Sequence, residues 1–89
     1  MPVRRCVEVD LGSVEWTEHP PILDRITNHG EGGLGWGRGG ALGKDRYLVY
    51  RDVGSAEDFD ARLRALRELV GDEHADEVAC PESTAAAAL

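Results

Sequence analysis

Between Gly30 and Gly43 the chain carries eight of its eleven glycines, and this window runs directly into Lys44-Asp45-Arg46. Glycine loses the most conformational freedom on ordering, and it lets other groups approach the backbone closely. A window this rich in glycine either stays mobile or is ordered against something else. The fold must therefore be built from the segments on either side, and the window itself is the feature that asks for a functional explanation.

Those flanking segments alternate between strand and helix patterns. Val7, Val9 and Leu11 share one face, with Cys6, Glu8 and Asp10 on the other, which predicts a half-buried strand over Val3 to Leu11. Gly12-Ser13 signals a turn, and Val14-Glu15-Trp16 reads as a continuation of the strand or a short hairpin arm. Ile22, Leu23 and Ile26 follow two prolines that suit a first helical turn. They predict a short helix from Pro21 to Asn28 with Gly30 as its C-cap. Beyond the window, Arg46 to Arg51 is the clearest strand, with faces Tyr47/Val49/Arg51 and Arg46/Leu48/Tyr50, extendable to Val53. Ser55 is a good N-cap for a long helix from Ala56 to Val70, whose stripe is Phe59, Leu63, Leu66 and Val70. Ala75 to Cys80 reads as a short closing strand stopped by Pro81.

The expected fold is α+β: a small antiparallel sheet with one long and one short helix. If the window hides a strand near Leu34 to Trp36, the order becomes βαββαβ and the architecture ferredoxin-like. Residues 1–82 are expected to form one domain, with a Gly-rich loop at 30–43, and residues 83–89 an alanine-rich tail. A chain this short buries roughly 60–65% of its unfolded surface, so docking on a partner would add to a marginal stability.

The chain carries a net charge of −7, unevenly placed. Residues 52–89 hold ten acids against three arginines, whereas residues 30–51 hold two acids against four bases. An acidic chain does not seek nucleic acid or anionic membrane non-specifically, so nucleic acid and membrane partners are not expected. No apolar run is long enough for a membrane span, and Arg4-Arg5 is not followed by the apolar core of a secretory signal. The cytoplasm is the expected location. Cys6 and Cys80 make no disulfide framework and are expected to be reduced and buried there. Neither a metal nor another cofactor is expected, because Cys6, Cys80 and His74 lack metal-ligand spacing.

Catalytic motifs fail on context. Gly35 to Gly40 matches GxGxxG, yet the dinucleotide motif needs a strand before it and a helix after it, the reverse of the order here. Gly43-Lys44 is followed by Asp45 and not by the Ser or Thr of a phosphate loop. The stretch Gly35-Trp36-Gly37 to Leu42-Gly43-Lys44 resembles the fusion loop of class II viral envelope proteins, but it lacks that family's loop cysteine and differs in spacing. The βαββαβ order is similar to that of RNA-recognition-motif domains, which stack bases on aromatics of two central strands. Tyr47 and Tyr50 here fall on opposite faces, and the first strand offers Glu8 or Asp10 in place of an aromatic.

Two readings remain. In the first, the chain is a non-catalytic interaction module or assembly subunit that docks or self-associates through Leu34, Trp36, Arg38 and Leu42, since Trp and Arg are favoured at interface anchors. In the second, backbone N–H groups at Gly37, Gly39 and Gly40 form a nest for a small anion or nucleotide, with charge from Arg38, Lys44 and Arg46.

Overall fold

A computed structural model describes residues 2–81, so the tail read as 83–89 lies outside the described residues. Six principal elements follow in chain order: β1 (Val3–Asp10), α1 (His19–Thr27), β2 (Gly37–Gly43), β3 (Arg46–Val53), α2 (Ala56–Val70) and β4 (Ala75–Val78). Four antiparallel strands form one open sheet in the order β2-β3-β1-β4, and two helices complete an α+β domain. β3 separates β1 from β2, and β1 separates β3 from β4, so the two strand–helix–strand units are interleaved.

The alternation in β1 and β3 decides which face is covered. Val7 pairs with Val49 and Val9 with Tyr47, placing the apolar side chains of both central strands on one face. Leu23 and Ile26 of α1 and Phe59, Leu63 and Leu66 of α2 join Val7, Val9, Leu11, Trp36, Val49, Val53 and Ala75 in one buried cluster. Val70, the last residue of the expected stripe, packs against that cluster half-buried, as does Leu69. Helix α2 is set locally: the Ser55 hydroxyl accepts from the Asp58 amide at 3.1 Å, and Gly71 ends the helix at φ +103°.

Several boundaries differ from the sequence reading. Val14-Glu15-Trp16 does not prolong β1; the chain turns there and enters a single 3-10 turn at Trp16–Glu18. Helix α1 begins at His19 and ends at Thr27, and its C-cap is Asn28, not Gly30, because Asn28 already takes an extended backbone. The hidden strand lies at Gly37–Gly43 and not at Leu34 to Trp36, so half of the expected loop is β2. Strand β4 stops at Val78, short of Cys80.

The cysteines also correct the expectation. Cys6 and Cys80 are joined by a disulfide across a sequence separation of 74, tying a central strand to the segment after β4. Cys6 stands opposite Val78 in the β1–β4 register, which brings position 80 within reach of it.

Candidate functional site

Residues 30–36 finish α1. The last carbonyls of a helix lack intrahelical partners. Here the amides of Leu34, Gly35 and Trp36 donate to the carbonyls of Arg25, Asn28 and Ile26 at 3.0, 2.9 and 3.0 Å. That ladder turns the chain back beneath the helix and drives Trp36 into the core. Trp36 has no exposed surface and meets Phe59 edge-on, with ring centroids 6.5 Å apart. Leu34 packs half-buried against the same cluster. Trp36 is not offered to a partner, so of the docking set expected from sequence Arg38 and Leu42 are exposed and Leu34 is half-buried.

Residues 37–43 form an edge strand. β2 pairs with β3 on one side, and no strand among the described residues pairs with its other side. The glycines here answer internal demands. A side chain at Gly37 would overlap the Tyr50 ring, which lies across the strand. Gly40 sits at φ +102°, beyond a register shift between Arg38 and Gly40 that leaves Gly39 as the extra residue of a bulge. The turn into β3 uses Asp45 at φ +62°.

The residues of the second reading from sequence, an anion nest, are spread along the β2–β3 hairpin. Arg38 stands near the start of β2 and Lys44 just past its end, a span of roughly 20 Å for an extended strand. Gly37 and Gly40 pair with Tyr50 and Leu48 of β3, and Gly39 is the extra residue between Arg38 and Gly40. Arg38 lies 3.9 Å from Asp24, and Arg46 lies 3.8 Å from Glu8, both loose surface pairs.

What the hairpin end does present is apolar surface. Trp16 is 77% exposed, and Leu42 is 39% exposed. Both belong to one end of the sheet, because the Leu11 amide donates to the Asp45 carbonyl at 2.7 Å and ties the β1–α1 loop to the β2–β3 turn. Beside β2, a cavity of about 200 Å³ is lined by Leu23, Arg38, Gly40, Ala41, Tyr47 and Leu48. Trp16 was missed at the sequence level because its neighbours read as strand. Its location between Gly12-Ser13 and the prolines was the available signal.

His19 was missed as well. It is the one buried polar side chain of the described core, 4% exposed. Its Nε2 faces the carbonyl oxygens of Leu11 and Val14, each at 2.9 Å, so Nε2 carries a proton and donates. Nδ1 lies 3.0 Å from the Tyr47 hydroxyl and 3.8 Å from the Asp45 carboxylate. These bonds fix the loop that carries Trp16 to α1 and β3.

Around the sheet, two arginine–carboxylate forks stand on either flank of β1. Arg4 holds Asp52 at 2.8 and 3.2 Å, and Arg5 holds Glu77, with Nη2 at 2.8 Å. Each guanidinium, through the hydrogen bond it donates and the charge it brings, keeps its carboxylate below the usual range. Among the described residues, no group of three His, Cys, Asp or Glu side chains could hold a metal ion. No helix there is long and apolar enough to cross a membrane. The fold and surface define a small α+β domain with an exposed glycine-rich edge. Beyond that class, no family model, no curated protein and no solved structure matches the chain.

Proposed function

We propose that this protein is a small non-catalytic interaction module, a subunit of an assembly that it joins through the free edge of β2. The observation that carries the reading is the edge itself: seven residues whose outer backbone groups have no strand beside them among the described residues. Edge strands are templates for pairing with another chain, and main-chain hydrogen bonds then supply the affinity. Glycine side chains cannot obstruct that approach. The neighbouring cavity by Leu23, Ala41, Tyr47 and Leu48 would take an apolar side chain of the incoming strand, and Leu42 and Trp16 would be covered at its end. The simplest incoming strand is β2 of a second copy, antiparallel across a two-fold axis. The bulge at Gly39 interrupts the edge and limits stacking into longer arrays.

The cytoplasm is retained as the proposed location on composition. The Cys6–Cys80 bond argues against it, since disulfides persist in oxidising compartments. Thiol counting on protein trapped directly from its host decides between them.

Sedimentation velocity over a concentration series tests the assembly, with amide exchange measured at each end of the series. A dimer should form on concentrating the sample, with protection appearing in the amides of 37–43. Leu42→Lys, an edge charge of the kind that blocks strand pairing, should keep the chain monomeric. A monomer at every concentration, with β2 amides exchanging unchanged, overturns the proposal.

A further inference from the structure

Where β2 begins, β3 continues past it, and the step leaves a notch of about 300 Å³ lined by His29, Gly35, Gly37, Tyr50, Arg51 and Asp52. Arg51 is the unusual member. Among the described residues its guanidinium makes no ion pair; its one hydrogen bond is from Nη1 to the Gly35 carbonyl at 2.7 Å. Its Nε is buried with no partner. Across the β1–β3 register it faces Arg5, a second cation that is committed to Glu77. A half-buried guanidinium without an anion is costly, because a buried donor left unmade loses its water without replacement.

The other notch groups suit an anion. His29 Nδ1 and Arg51 Nη1 both lie within 4 Å of the point where a side chain at Gly35 would begin. Glycine at 35, held at φ +76°, therefore keeps open the space between two nitrogen groups. Asp52 would repel an anion, but its carboxylate is bound by both Arg4 Nε and Nη2, and the Arg4 guanidinium also lies 4.2 Å from the centre of the Tyr50 ring. The notch thus keeps one uncompensated positive charge in a chain whose net charge is −7.

We infer that this notch is a binding site for a small oxyanion, a phosphate group in particular, with the Arg51 fork taking two oxygens and His29 a third. The fork geometry of guanidinium matches phosphate in a way that a lysine cannot. This site is separate from the outer edge of β2, and dilute monomer suffices to test it.

The test is a nuclear magnetic resonance titration of ¹⁵N-labelled monomer with inorganic phosphate, at ionic strength held constant with chloride. Saturable shifts should appear at the Arg51 Nε–H and at the amides of Gly35, Gly37 and Arg51. Acetate, with two oxygens to the four of phosphate, should bind more weakly. Arg51→Gln should weaken phosphate binding by about tenfold or more, and Arg38→Gln should leave it unchanged. His29→Ala, at an exposed position, provides a second variant should Arg51→Gln fail to fold, and it should weaken phosphate severalfold. Shifts that do not saturate, or that follow Arg38, Lys44 and Arg46 and persist in His29→Ala, overturn the site.

Discussion

Truncating Trp36 to alanine separates a core role from a docking role. The indole is wholly buried, and full burial of a tryptophan removes about 150–250 Å² from water. At about 25 cal/mol per Å², that is about 4–6 kcal/mol. Against it stands the indole Nε1, which is buried without a partner and offsets about 1–3 kcal/mol. The expected cost of Trp36→Ala is therefore about 3 kcal/mol, the lower end of the range seen when large aromatics are cut from cores. A domain of this size has about 5–15 kcal/mol in total and sits toward the lower end. At about 4 °C or more per kcal/mol, the far-ultraviolet circular dichroism melt should fall by at least about 12 °C. Working in a Trp16→Phe background leaves one tryptophan, so the parent's emission should be blue-shifted when folded and red-shifted in urea. Trp36→Phe should lose less than half as much, since it keeps a ring against Phe59 and removes the unpartnered N–H. Coincident melts for Trp36→Ala and its parent would refute the reasoning and return Trp36 to the surface.

Three other perturbations read the remaining devices. Tyr47→Phe removes the hydroxyl that hydrogen-bonds His19 Nδ1 and should cost about 1–2 kcal/mol by urea titration, with faster amide exchange through residues 11–16. In acid, Asp52 and Glu77 should weaken the fold. Their carboxylates are held below the usual range by hydrogen bonds from Arg4 and Arg5, so their contribution is present above the ordinary carboxylate pKa of about 4 and is lost as pH falls through the lowered folded values. Both are well exposed, so the loss is small and screened by salt; Asp52→Asn with Glu77→Gln should flatten the urea midpoint between neutral and acid pH, and an unchanged slope counts against the forks. Replacing Cys6 and Cys80 together by alanine opens a loop that spans most of the chain and should cost about 2–4 kcal/mol, while strands β1 to β4 keep their amide protection pattern. If the double variant melts with the parent, the bond does not constrain the fold.

The sequence by itself determined the elements whose pattern is local. The alternation of Val7, Val9 and Leu11, the strand at Arg46 to Arg51 and the capped stripe of α2 each carry their period and their end signals within a few residues. They emerge in the structure with the expected faces, and they suffice for an α+β fold with one antiparallel sheet. The candidate site was legible only in part. The window Gly30–Gly43 was the right place to look, yet its residues take their roles from distant partners. Trp36 is core because three amides cap α1, and Gly37 is glycine because Tyr50 lies across it. Arg51 makes no ion pair among the described residues, while its neighbours Arg4 and Arg5 hold Asp52 and Glu77. Two cysteines near opposite ends of the chain become one bond because β4 returns alongside β1. Trp16 is exposed because the chain turns where alternation suggested it would run on. Periodicity reports which side of an element is apolar. Which groups finally meet across 16, 48 or 74 residues is fixed by the order of the strands and the return of the helices, and those are decided by packing the whole chain at once.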